Sequence, residues 1–258
     1  CARCSSSVMP DAIELDALTV RFGDVVAVHD LTLSVREGEL LMLLGGSGSG
    51  KTTTLECINA LVTPSAGEVR LRGLDVRSLE PHVLRRRVGY CFQAIGLFPH
   101  MTVAENVGIT PRLLGWPEER VRARVEDLLA RVALPYADYA HRLPDALSGG
   151  QRQRVGVARA LAAEPEVVLF DEPFGALDPI TREQLQSELL ALKDALGLTC
   201  VFVTHDVLEA LTLGDRIAVL REGALLQVGT PRELAEAPAD PYVTALLEAP
   251  RRALDRLA

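Results

Sequence analysis

The sequence predicts an α/β fold: a mainly parallel sheet with a small antiparallel β subdomain beside it and an inserted helical subdomain. Three observations carry this. Strand-like runs rich in Leu, Val and Phe alternate with amphipathic helical patterns, as crossover helices covering a parallel sheet require. Between about Ala94 and Pro165 the strand signal fades and helical spacing takes over. The three clearest strands, Leu40 to Leu44, Val167 to Phe170 and Cys200 to Val203, run into a glycine loop, into Asp-Glu-Pro and into Thr-His. Ligands of open α/β sheets bind beyond the carboxyl ends of the strands, so these three ends are expected to converge on one pocket.

Residues 1–12 read as disordered or as an extension, since "CARCSSSV" is short and polar and Met9 is a plausible start. One unit is expected over 13–237, with its β core in 13–93 and 166–237. "GEVRLRGLDV" (Gly67 to Val76) and "RIAVLREGALLQVG" (Arg216 to Gly229) place turn residues between alternating runs, the pattern of antiparallel ribbons, and both are assigned to the small β subdomain. The inserted helical subdomain is expected over 94–165, where Val121, Val125, Leu128, Leu129 and Val132 fall on one helical stripe. The tail, 238–258, reads as one or two short surface helices around Pro250.

The chain has 258 residues, 48% hydrophobic and 24% charged, which is globular composition with room for a sizeable core. Apolar runs such as "LLMLL" fall far short of the roughly 20 residues that cross a bilayer. A net charge of −8 argues against nucleic acid as a partner and against polybasic membrane adhesion. Lysine occurs only at Lys51 and Lys193. Of five cysteines, Cys1 and Cys4 form a C-x-x-C with no second pair at zinc-site spacing. The thiols are therefore expected to be reduced, as in the cytosol.

"GGSGSGKT" follows an apolar strand and satisfies G-x-x-x-x-G-K-[ST]. In Gly45, Gly46, Ser47, Gly48, Ser49 and Gly50 the backbone N–H groups turn inward on phosphate, Lys51 neutralises its oxygens, and the Thr52 hydroxyl is placed for Mg²⁺. This motif marks a P-loop NTPase. "VVLFDEP" then sets Asp171 for a water-mediated Mg²⁺ contact and Glu172 to orient or deprotonate a water attacking the γ-phosphate. His205, ending the third strand, is expected to contact the γ-phosphate.

A second phosphate-like feature follows in "LSGGQRQRVGVARAL", residues 147 to 161. A helix cap explains Ser148, but two glycines at a helix start weaken the helix unless something must come close. Ser148, Gly149, Gly150 and Gln151 are therefore expected to face a nucleotide held by another copy of the chain.

Together "GGSGSGKT", "LSGGQ", "VVLFDEP", "ALD" (Ala176 to Asp178) and His205 resemble the ATP-binding subunit of an ABC transporter, from about Ile13 to Leu247. The resemblance implies a RecA-like core and two subunits dimerised head to tail, each ATP shared between one phosphate loop, Thr53 included, and the partner's LSGGQ. It implies adenine stacking on Phe22, Mg²⁺ and attacking-water contacts from Gln93, and a cross-dimer role for Asp178. It places a membrane permease on the surface from Gln93 to Asn106 and the chain on the cytoplasmic membrane face, with a solute-binding protein as an indirect partner. Gly46 departs from the proline or larger residue common in relatives, which is expected to loosen the loop slightly.

"IGLFPHMT" and "LDPITR" resemble the ATPases of osmoprotectant importers, which take up glycine betaine, choline or carnitine. The alternatives are an importer of another small polar solute, such as an amino acid or sulfonate, and a soluble non-transport member of the family. Larger relatives carry a C-terminal pair of sensing domains; with the sequence ending at Ala258, such sensing in cis is not expected.

Overall fold

The computed structural model describes residues 11–93, 96–175 and 177–255, with side chains to residue 248. The main sheet has six strands in the order β10-β9-β3-β8-β7-β6. Its centre is β3 (Leu40–Leu44), flanked in parallel by β8 (Cys200–Thr204) and β9 (Arg216–Arg221), with β7 (Val167–Asp171) and β6 (Val88–Cys91) continuing the parallel run. β10 (Ala224–Gly229) closes one edge antiparallel to β9. Every residue of β3, β7 and β8 is buried, which is why these segments read as unbroken apolar runs. The ribbon at Arg216 to Gly229 thus belongs to the main sheet and not to the small one, a correction: β9 turns one edge to β10 and gives the other to β3.

The second sheet is antiparallel, in the order β2-β1-β4-β5, from β1 (Asp11–Phe22), β2 (Val25–Arg36), β4 (Ala66–Leu71) and β5 (Leu74–Asp75). Asp11 and Ala12, expected to belong to an extension over 1–12, instead open β1, and Ala12 is fully buried; residues 1–10 lie outside those described.

Two cores result. Leu41 and Leu43 of β3 point toward the antiparallel sheet, α1 (Lys51–Ile58) and α2 (Pro81–Arg87). Leu40, Met42 and Leu44 point the other way, onto a layer of helices. That layer includes α3 (Val103–Leu113), α4 (Glu118–Arg131), α5 (Tyr136–Tyr139) and α6 (Gly149–Leu161). It continues with α7 (Pro179–Leu196), α8 (Val207–Leu213), α9 (Pro231–Glu236) and α10 (Pro241–Asp255). The stripe Val121, Val125, Leu128 and Leu129 is the buried face of α4. The tail forms one helix running through Pro250 where one or two surface helices were expected, and Val243 is fully buried against the core. Among the described residues no helix is long and apolar enough to cross a membrane.

Candidate functional site

Strand ends β3, β7 and β8 meet at one cleft of about 690 Å³, walled by residues 46–53 together with Gln93, Glu172 and His205. The sequence of the loop is what lets it fold here. Gly50 takes φ 92° at the N-cap of α1, and a Cβ on it would lie 2.5 Å from the Ala27 carbonyl of β2. Only glycine meets both conditions without strain. The β1–β2 hairpin therefore backs the loop, and Phe22, at the end of β1 and half exposed, lies off the cleft wall.

Lys51 is buried, and its Nζ donates to the carbonyls of Gly45 and Gly46 at 2.8 Å and to Ser49 Oγ at 3.3 Å. Burial lowers its pKa against the opposing pull of Glu172 and Asp171. An ammonium held mainly by neutral carbonyls and aimed into a loop of N–H groups can neutralise phosphate oxygens. Tyr242 of α10 lies beside the loop, its hydroxyl 3.7 Å from where a Cβ on Gly46 would be, so a side chain at this position would meet that hydroxyl in ordinary contact.

Thr52 Oγ1 donates to Asp171 Oδ1 at 3.0 Å. Burial pushes the Asp171 carboxyl above its ordinary range, offset by the hydrogen bonds from Thr52 and Tyr90. Two adjacent hard oxygen donors at the foot of a phosphate loop fit Mg²⁺, which keeps several waters and shares its shell with substrate phosphates. Among the described residues no group of three or more His, Cys, Asp or Glu side chains is arranged to hold a metal by itself.

Glu172 follows Asp171 with φ 44°, a left-handed conformation rare for a side-chain-bearing residue. That turn lifts its carboxylate out of the strand and into the cleft. Glu172 Oε2 lies 3.1 Å from His205 Nδ1 and accepts from Gln93 Nε2 at 3.4 Å. A carboxylate gripped from two sides, beside a phosphate cradle, is placed to act as an acceptor for a water proton.

The remaining residues singled out in the sequence fall elsewhere. Ser148 caps α6: its Oγ accepts from Gln151 N at 3.2 Å while Gln151 Oε1 accepts from Ser148 N at 2.9 Å. A Cβ on Gly150 would meet the Thr181 methyl at 2.8 Å, so packing within the chain already requires this glycine. A Cβ on Gly149 would rest 3.7 Å from Leu177, an ordinary contact, and that glycine has no internal reason. Asp178 caps α7 by accepting from Thr181 N at 3.0 Å, and Ala176 lies outside the described residues. Ser148 to Gln151 and Asp178 therefore form a second group, around the first turn of α7, and none of them walls the cleft.

Near Gln93 a groove of about 330 Å³ opens between Phe92, Phe98 and Leu113, all exposed, and the Arg85 and Arg86 side of α2. Asn106, at the end of the surface expected to receive a permease, faces inward: it is fully buried, accepts from Phe98 N at 2.8 Å and donates to the carbonyls of Phe98, Met101 and Thr102. Ala94 and Ile95, in the same stretch, lie outside the described residues. Tyr90 was missed at the sequence level. Its hydroxyl donates to Asp171 and its ring stacks on Phe92 at 4.3 Å, a pairing that the β6–β7 register makes but that no local pattern announces.

A family model described as "ABC transporter" matches residues 28–175. The chain belongs to the ABC transporter family. The cassette is 48% identical over 90% of its length to the osmoprotectant import ATP-binding protein OsmV of Salmonella typhimurium. It is 49% identical over 86% to the glycine betaine/carnitine/choline transport ATP-binding protein OpuCA of Bacillus subtilis. It is 50% identical over 88% to the spermidine/putrescine import ATP-binding protein PotA of Acidothermus cellulolyticus. The cassette spans 62%, 58% and 58% of these relatives' own lengths. Among solved structures it superposes on cbiO1 from Clostridium perfringens with TM-score 0.83, 26% identity and 96% of this chain and 100% of that chain covered. It superposes on the dimeric post-hydrolysis state of the ATP-binding cassette MJ0796 bound to ADP and Pi with TM-score 0.75, 34% identity and 85% and 99% covered. The fold is that of the P-loop NTPases.

Proposed function

We propose that the cassette hydrolyses MgATP as a head-to-tail pair and thereby drives uptake of a quaternary-amine osmoprotectant through a membrane permease. The observation that carries this reading is the separation of two half-sites on one chain. The cleft at Lys51, Glu172 and His205 supplies a phosphate cradle and a water acceptor, while Ser148 to Gln151, exposed or half-buried, form a helix start that is not part of that cleft's wall. A second copy turned head to tail brings each helix start to the other's cleft, where its N–H groups meet the γ-phosphate.

In this reading Gly45 to Thr53 hold the phosphates and Phe22 stacks on adenine. Thr52, Asp171 and Gln93 hold Mg²⁺, which when bound neutralises charge developing on the phosphates. Glu172 takes a proton from the attacking water and His205 holds Glu172 and the γ-phosphate in register. Asp178 reaches across the pair. The groove at Phe92 and Phe98 suits a short permease helix that brings apolar side chains, and Phe92, the residue before Gln93, links that helix to the cleft. The chain then works at the cytoplasmic face of the membrane, beside a solute-binding protein that meets the permease from the other side.

The solute rests on the names of OsmV and OpuCA. A second reading, a polyamine importer, has a specific observation of its own, the 50% identity to PotA. Cassette residues face the permease and the nucleotide, never the solute, so sequence identity here does not separate the two. Uptake does: cells carrying the chain with its neighbouring permease should accumulate labelled glycine betaine at high osmolarity and lose that uptake with Lys51→Ala. Uptake of putrescine in place of glycine betaine overturns the quaternary-amine assignment.

A further inference from the structure

The first turn of α7 and the residues just before it lie against the Gly149–Gly150 helix start on one side and bond Asp206, the neighbour of His205, on the other. Thr181 carries the methyl that lies against Gly150, and Leu177 lies against Gly149. The next residue along, Arg182, turns to the other side: Nη1 donates to Asp206 Oδ2 at 3.1 Å and Nη2 to the Leu177 carbonyl at 3.3 Å. Asp206 is the neighbour of His205, and its other oxygen caps α8 by accepting from Leu208 N at 2.9 Å and Glu209 N at 3.3 Å. One turn further along the same helix, Gln186 donates at 2.9 Å to the buried carboxylate of Glu209. α7 and α8 are thus tied by polar bonds at two successive turns, directly behind the segment that carries His205.

An exposed ion pair would carry little, because such pairs contribute about 0–1 kcal/mol. This one is partly buried, and Arg182 Nε is a buried donor with no partner among the described residues. A buried unsatisfied donor is a cost to stability, and it is retained where a residue serves something other than stability. We propose that Arg182 is a positioning residue that couples the Ser148 to Gln151 loop to His205, so that a nucleotide seated on that loop sets the geometry of the chain's own cleft. Seating ATP on the loop bears on Gly150, which packs beside the Thr181 methyl. The first turn of α7 shifts as a unit, and Arg182 carries the shift through Asp206 to His205 and hence to Glu172 Oε2. The coupling is reciprocal, so closing the cleft on ATP also sets the loop that serves the partner. This rests on the shared-site reading given above.

The test uses the full chain and MgATP, with Arg182→Gln, Asp206→Asn and the double variant. Asp206→Asn keeps an oxygen to cap α8 and loses the charge that Arg182 meets. Expected are unchanged melting temperature and ATP affinity, kcat lower by about tenfold, loss of ATP cooperativity in each single variant, and a double variant no worse than either single one. Single variants with wild-type kcat and cooperativity, or losses that multiply in the double variant, overturn the proposal. A wild-type chain without ATP turnover overturns the shared-site reading and this proposal together; wild-type turnover beside an unaffected Arg182→Gln overturns this proposal alone.

Discussion

His205 Nδ1 lies 3.1 Å from Glu172 Oε2, and Gln93 Nε2 reaches the same oxygen at 3.4 Å. Two side chains from segments following β6 and β8 thus converge on one carboxylate following β7, held by a backbone turned to φ 44°. A left-handed non-glycine residue costs roughly 1–3 kcal/mol, and the surrounding structure must hold it there. What that strain secures is a carboxylate fixed beside the phosphate loop, where it is placed to accept a proton from water.

Replacing the histidine separates holding from proton transfer. His205→Ala should lower kcat by about 10²-fold with ATP affinity within about twofold of wild type, because Lys51 and the loop are untouched. Steady-state kinetics beside an equilibrium ATP titration check this; a change confined to affinity would show that His205 binds and does not position.

The phosphate cradle depends on one cation. Lys51→Ala should abolish measurable ATP binding in a nucleotide titration while the chain still folds, since Nζ is held mainly by main-chain carbonyls that water can satisfy. Retained micromolar affinity would contradict the role given to Lys51.

Asp171 predicts a trade between stability and chemistry. Burial raises its pKa above the ordinary value of 3.8, so the folded chain holds this proton to higher pH than the unfolded chain does. Stability from this group is full below 3.8, falls as pH rises through the raised folded value, and stays at the lower level above it. Asp171→Asn should therefore melt higher than wild type at neutral pH, match it in acid, and lose Mg²⁺-dependent hydrolysis. Thermal melts across pH check this, and a neutral-pH melting temperature below wild type would contradict it.

The two glycines after Ser148 should behave differently. Gly150→Ala forces a methyl onto Thr181 at 2.8 Å and should destabilise the fold by about 1–3 kcal/mol. Gly149→Ala meets only ordinary contact at 3.7 Å and should leave the melting temperature unchanged while lowering ATPase activity, because in the proposed shared site the new methyl would face the partner's nucleotide. Full activity in Gly149→Ala would remove the case for a ligand at this helix start.

Much of this was legible in the sequence. β3, β7 and β8 were read to within one residue because strands buried on both faces must be apolar throughout, and their ends carry the chemistry. The long β1–β2 hairpin was not read: register shifts interrupt its pairing, and Ala17 and Asp30 take positive φ, so its apolar residues never alternate cleanly. The ribbon at Arg216 to Gly229 was recognised but assigned to the wrong sheet, since a local alternation cannot show which strand lies on its far edge. The cleft residues came from motifs with their own chemistry. Tyr90, Arg182 and Asp206 did not, because each acts through a partner distant in sequence, and only the fold supplies that partner.

Shared ATP sites are the centre of the account, and Glu172→Gln tests them most directly. The glutamine keeps the shape of the side chain and removes the proton acceptor, so bound ATP should persist. Size exclusion of this variant with saturating MgATP should give a dimer, reverting to monomer when ATP is removed. A monomer under saturating MgATP would contradict two half-sites completed by a second copy.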